Sequence, residues 1–230
     1  MTEKILPDLR IKARVDIVLN KMSWFFHTIE PSLMYPMSRK QYFEKHPELN
    51  DEQKWNFPFS LSADDIINKK IPWQAAGCTG CAKLFSKYAR EIGLYDFVVV
   101  LTVKREHVEQ YAQGQLRGQI AGHQAIAIRL SDGLHIIDVQ HGLGKTFEEI
   151  EVKSDCKIDA NIDFEHHRGY IIAALLSPTE YDTIDSYEKM KNLYLSCNSA
   201  KTILMNYATK NMQQQFIVNQ LSQNANQSEN

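Results

Sequence analysis

Three side chains that can act together on an amide carbonyl stand in chain order: Cys78, His123 and Asp138, with a second thiol, Cys81, three residues after the first. The thiolate is the nucleophilic form of cysteine, a histidine can take its proton and later return it to a leaving group, and a carboxylate can fix the imidazole tautomer. The local setting of Cys78 favours that chemistry. In the stretch Trp73–Phe85 a Gly- and Thr-containing segment runs into apolar positions at 81, 84, 85, 88, 89 and 92, the spacing of an amphipathic helix that Gly93 ends. Cys78 is therefore expected at or just before the first helical turn. There, unpaired N–H groups and the positive end of the helix dipole favour thiolate over thiol.

Other readings of the two cysteines exist. Free cysteine is among the most buried residue types, and a pair near a helix start can simply fill core. Cys78-x-x-Cys81 also has the spacing of a zinc half-site, but Cys156 and Cys197 stand alone and supply no second close pair, so no metal is expected. A thiol redox protein using Cys78 and Cys81 calls for a buried strand leading into the motif, whereas Asn68–Pro72 is polar and broken by proline. A non-catalytic interaction module, with helices at 8–30 and 185–221 offering a partner surface, is the rival class.

The elements that must position these residues can be read in outline. Residues 8–30 carry apolar side chains at mostly helical spacing, with Pro31 as a stop. Ser38 opens a short helical turn through Tyr42 and Phe43, and Asn56-Phe57-Pro58-Phe59 reads as an apolar loop. Ser62 with Asp65 resembles a capping box before Ile66. After the cysteine helix, Phe97–Val103 is a β-branched run suited to a buried strand, and 104–121 is a polar connection, partly helical near Val108 and Tyr111, that is a place for a substrate-facing flap. His123–Leu130 and Leu134–Val139 flank Asp132-Gly133, a hairpin signal. With Asp132-Gly133 as the two-residue turn, Ser131 faces Leu134 and Asp138 lies opposite Ala127. His123 and Asp138 then share a face but sit about 13 Å apart at about 3.3 Å per residue, so contact requires a bulge, strong coiling or another register. Residues 169–176 form a further strand ended by Ser177-Pro178, and 185–221 is helix-rich. His135, His141 and His166-His167 read as solvent-facing or structural, with His141 close enough in the hairpin to serve if the register differs.

Composition excludes several classes. The 230 residues are 43% hydrophobic and 23% charged with a net charge of −2, and no basic stripe interleaved with aromatics points to nucleic acid. No apolar run reaches membrane-spanning length and the amino end lacks a signal-peptide core, so a cytoplasmic protein with no membrane partner is expected. Four cysteines in a chain this long fit a reducing compartment.

Short motifs then carry a resemblance. Gly77-Cys78, Ala82, Leu84-Phe85 and Gly93, followed by Gly122-His123 and Asp138, resemble the nucleophile helix, histidine and aspartate of the transglutaminase-like superfamily over residues 73–142. Ile136–Gly142 is similar to the hairpin of the related arylamine N-acetyltransferases, but their Arg-Gly-Gly before the cysteine is missing, which points away from acetyl transfer from a coenzyme. Gln74 followed by Gly77–Ala82 is also similar to the papain-type loop, an alignment that makes Cys81 the nucleophile. Under either alignment Gln74 or Trp73 is a candidate for oxyanion support.

The resemblance implies an α+β fold with a transglutaminase-like (papain-like) core. N-terminal helices, a nucleophile helix packed on an antiparallel sheet and long C-terminal helices complete it. One catalytic domain is expected over 1–221, comprising a helical layer (1–72), a core (73–177) and terminal helices (178–221), with a polar tail at 222–230. The implied activity is Cys-His-Asp acyl transfer on an amide of a protein or peptide substrate, as protease, deamidase or transglutaminase, with no cofactor.

Overall fold

Val99, Leu101 and Val103 bury their side chains in one hydrophobic cluster while Val100 belongs to another, and this period-two division marks the central strand of a sheet buried on both faces. The structure is a computed structural model that describes residues 2–30, 37–152, 161–164 and 167–227. Five helices lead the chain: α1 (Thr2–Ile29), α2 (Arg39–Glu44), α3 (Asp51–Ser60), α4 (Ala63–Asn68) and α5 (Trp73–Glu91). Then come β1 (Phe97–Lys104), α6 (Arg105–Ala112), β2 (Gly122–Leu130), β3 (Gly133–Ile137), α7 (Phe147–Ile150) and β4 (Glu151–Val152). The chain continues through β5 (Asn161–Phe164), β6 (His167–Leu176), α8 (Pro178–Asp182), α9 (Tyr187–Ser196) and α10 (Asn198–Gln227). The strands form one sheet in the order β4-β3-β2-β1-β6-β5, with every pairing antiparallel. The fold is α+β.

The larger core lies between one face of this sheet and the helices. On α1 the buried residues Val15, Val18, Leu19, Met22 and Phe26 repeat at helical spacing. Each contributes roughly 1.5–3 kcal/mol relative to exposure. The central helix is α5, packed between α1, α3, α4 and β2. Its buried residues, including Gly80, Cys81, Ala82, Lys83 and Ser86, occupy more than the single apolar face expected from its periodicity. Lys83 is accommodated because its ammonium donates to the carbonyls of Phe59 (2.7 Å), Leu61 (2.8 Å) and Ile184 (3.3 Å).

Several local expectations are corrected. The helix carrying the cysteines begins at Trp73, directly after Pro72, rather than at about Cys78, and it is broken at Gly77, whose φ of 63° and ψ of −170° are non-helical. The segment 56–59 is helical, not a loop, because Asn50 caps α3 with a full capping box and Pro58 falls near its end. The stretch 185–221 is two helices divided at Cys197, and the second runs on to Gln227 through much of the expected polar tail. Once a helix is under way each further residue adds a hydrogen bond without a new nucleation cost, so a polar sequence can continue it. The capping box expected at Ser62 forms, and the helical turn opened by Ser38 carries one as well, with Gln41. Pro31, Cys156 and His166 lie outside the described residues.

Candidate active site

The break at Gly77 makes Cys78 the first residue of the second part of α5, a helix that packs on β2. Successive strand residues face opposite sides, so a group that meets both His123 and Gln124 must lie at the strand's open end. Cys78 does so: its thiol donates to Gln124 Oε1, and the His123 ring lies near enough to act on the sulfur through its hydrogen-bonding and charge. Thr79 Oγ1 donates to the same Gln124 oxygen at 2.9 Å, and Gln124 Nε2 donates to Tyr194 Oη at 2.7 Å. Gly122 permits this crowding, since a Cβ there would sit 2.2 Å from the Tyr194 ring and 2.6 Å from the Thr102 carbonyl oxygen.

The hairpin register differs from the expected one. Leu130 pairs with Gly133, so Ser131-Asp132 is the two-residue loop, and Ile126 pairs with Ile137. Continued by one step, this register sets Asp138 opposite Ala125, two positions from His123 rather than four. The separation along the strand is thereby halved. Asp138 also leaves the ladder, its N–H donating to the Ile150 carbonyl at 3.2 Å. The outcome is a 3.0 Å contact between His123 Nε2 and Asp138 Oδ2, which leaves Nδ1 of the ring for the thiol. A β-bulge lies beside this point, where the β1–β6 register shifts between Leu101 and Thr102, and Thr102 Oγ1 donates to the His123 carbonyl at 3.0 Å.

Electrostatics follow from this arrangement. Burial alone would push the Cys78 thiol up, but the hydrogen bond and charge of His123 outweigh it and hold the thiol below its ordinary value. Burial would likewise lower the His123 imidazolium, yet hydrogen bonds to Asp138 and Cys78 and their charges push it up to about 10. Asp138 is held well below the carboxylate range, its burial overcome by the hydrogen bonds from His123 and His141. The arrangement biases the pair toward thiolate and imidazolium, backed by a carboxylate.

His141 is the fourth member. Its Nδ1 lies 2.8 Å from the same Oδ2, and the two imidazole rings are 5.7 Å apart. The donor atoms of His123, Asp138 and His141 fall within 4.8 Å of one another, a spacing that a divalent cation could bridge. Binding one there requires removal of the protons now shared in the two histidine–carboxylate hydrogen bonds.

A groove of about 420 Å³ opens over Cys78, lined in part by Arg39, Trp55, Thr79, Arg117, Gln124 and Tyr194. The end of the 104–121 connection contributes residues 117–121 to its wall, while its first half is the helix α6. Cys81 has no exposed surface and lies in the main core, where burial raises its thiol well above the usual value. Neither Trp73 nor Gln74 lines the groove. Trp73 packs on the core, its buried indole N–H having no hydrogen-bond partner among the described residues. The glutamine beside the sulfur is Gln124, missed in the sequence although a polar residue alternating with Ile126 and Ile128 was a usable signal. His135 pairs with Asp132 in the hairpin loop and with Glu151 at the start of β4.

No family model, curated protein or solved structure matches this chain.

Proposed function

We propose that this protein is a cysteine-dependent amide hydrolase with a transglutaminase-like, papain-related core, in which Cys78 is the nucleophile, His123 the acid–base and Asp138 its orienting carboxylate. The observation that carries this reading is the buried His123 ring held between the Cys78 thiol and Asp138 Oδ2. Cys78 Sγ attacks the amide carbonyl carbon and the carbonyl π pair moves onto oxygen. On collapse the C–N bond breaks and the His123 proton passes to the departing nitrogen, leaving a thioester. Water, deprotonated by His123, then attacks the thioester and releases acid and thiolate. Gln124 is the side-chain amide closest to the developing charge. Tyr194 Oη can donate as well as accept, so a half-turn of the carboxamide keeps that bond and aims Nε2 at the sulfur or the oxyanion.

Hydrolysis is preferred to transfer to an amine because water needs no acceptor site of its own beside the thiol, whereas an amine does. The substrate is a protein or peptide amide, and the setting a cytoplasmic one. The deciding experiment incubates the protein with glutamine-rich peptides and proteins and follows ammonia release and new chain ends. Ammonia release or cleavage that is lost in Cys78→Ala supports the reading. Iodoacetamide that alkylates Cys78 no faster than free cysteine, with no response to His123→Ala, overturns it.

A further inference from the structure

The groove over Cys78 holds two guanidinium groups, Arg39 and Arg117, and among the described residues none of its lining is acidic. The two differ in how they are held. Arg117 is exposed on the loop before β2, in a turn whose Gly118 has a φ of 93°. Arg39 is half-buried at the first position of α2 and is fixed from two sides: its guanidinium stacks over the Phe43 ring at 5.4 Å, and Nη2 donates to the Lys54 carbonyl at 2.8 Å. That carbonyl is free for a reason. In α3 its helical partner would be the N–H of residue 58, and residue 58 is Pro58, which has none. The helix thus forgoes one internal hydrogen bond, and the vacated acceptor holds Arg39 in the groove.

A half-buried cation is costly unless paired, and no carboxylate among the described residues pairs with Arg39. Burial lowers its affinity for its proton, and the charge of Cys78 acts in the opposite direction. With a net charge of −2, the chain as a whole does not attract anions. The positive character is local to the wall facing the nucleophile.

Resting on the hydrolase reading, we infer that the groove selects amides with a carboxylate close to the scissile carbonyl, such as the side chain of an acidic residue flanking the target, bound by Arg39 and Arg117. Charge-assisted, forked contacts of this kind give both affinity and orientation.

The test compares iodoacetate with iodoacetamide as alkylating probes of Cys78 in the intact protein. Both form a C–S bond with loss of iodide, and they differ in a carboxylate against a neutral amide, so their rate ratio reads anion selection without any turnover. Expected is a ratio about tenfold above that of free cysteine, falling about threefold in Arg39→Met and about threefold in Arg117→Met, or about 0.7 kcal/mol for each arginine. The fall should be mimicked by raised salt. Arg117→Met, on an exposed loop, keeps the test valid if Arg39→Met unfolds α2. A ratio equal to that of free cysteine, or one unmoved by either substitution while Arg39→Met merely raises the thiol's titration point, overturns the inference and makes Arg39 a partner of the thiolate alone. Slow alkylation by both probes defeats the hydrolase reading instead. Paired glutamine peptides with a flanking Glu or Gln identify the source of the carboxylate. Faster turnover of the Glu peptide assigns it to a polypeptide, and equal turnover with a high probe ratio assigns it to a small acid.

Discussion

Gly77-Cys78 and Gly80-Cys81 are the same dipeptide set three residues apart on one helix, and their surroundings are opposite. Cys78 borders the groove and touches His123 and Gln124, whereas Cys81 is closed into the core. The imidazole lowers one thiol and burial raises the other. The glycines differ as well. Gly77 supplies a backbone geometry, with positive φ and no atom within 4 Å of where a Cβ would be. Gly80 supplies room, since a Cβ there would meet the Ala76 Cβ at 2.7 Å and Ile66 Cδ1 at 3.1 Å. Reactivity is thus decided by what a three-residue step along a helix brings each sulfur against, not by the motif.

The largest effect that can break this contrast is exchange of the sulfurs themselves. Cys78→Ala should reduce hydrolysis by at least about 10³-fold with urea stability little changed. Cys81→Ala should leave the rate within about threefold and cost about 1–2 kcal/mol in urea unfolding, since it opens a small void. A rate loss in Cys81→Ala as large as that in Cys78→Ala, in a protein still folded, would reverse the assignment.

Next in size is the pH dependence. A thiol held down by His123 places the acid limb of Cys78 alkylation below the ordinary cysteine range. Hydrolysis also needs the imidazolium, so its base limb lies where His123 loses its proton, near pH 10. In His123→Ala burial acts on the thiol unopposed, the acid limb moves up, and alkylation at pH 7 falls roughly 10–100-fold, tenfold for each unit of displacement. In Asp138→Asn the imidazolium loses its carboxylate, the base limb moves down, and hydrolysis falls roughly 10²–10⁴-fold, as expected for loss of an orienting carboxylate. Pseudo-first-order alkylation across pH 5–11 checks both. Cys81, followed in the same samples by mass spectrometry, should stay unlabelled in the folded state.

The glycine pair separates geometry from space. Gly77→Ala forces an L-residue into backbone that is almost reserved for glycine, at about 1–3 kcal/mol, and because the strain sits beside the nucleophile the alkylation rate of Cys78 should fall with it. Gly80→Ala should cost a similar amount by overpacking against Ile66, with the rate per folded molecule within about threefold. Equal effects of both on the alkylation rate would show that α5 responds as one rigid rod and that the break at Gly77 does not govern Cys78.

Much of this was readable from residue types. The strand signal of Phe97–Val103, the capping box at Ser62 and the order Cys78, His123, Asp138 are local or ordinal features, and they appear in the structure. Pairing geometry was harder. The hairpin register depends on whether Gly133 turns or opens β3, and its positive φ of 146° serves the strand start equally well. The helix of Trp73–Ala76 was hidden because Gly77 resembles a loop residue, although it interrupts a helix already under way. Arg39 and Gln124 were not legible as site residues because tertiary contacts bring them there: a carbonyl vacated by Pro58 holds the first, and the crowding of Tyr194 against Gly122 holds the second.

His141 offers the finest discrimination. It and His123 approach the same Asp138 oxygen, but the His141 side chain is 27% exposed and that of His123 only 3%, and it is His123 that lowers the thiol. The His141 backbone N–H also approaches Asp138 Oδ1 at 3.4 Å, so part of its hold on the carboxylate survives any side-chain change. His141→Ala should therefore lower kcat about twofold to fivefold, the worth of one partly exposed hydrogen bond, and leave KM and the acid limb of Cys78 in place. His141→Gln, which restores a donor, should recover most of that loss. If His141→Ala instead matched His123→Ala and shifted the acid limb upward, the proton on the thiol would be governed by the outer histidine. The contrast between Cys78 and Cys81 would then rest on a relay through Asp138 rather than on direct contact with His123.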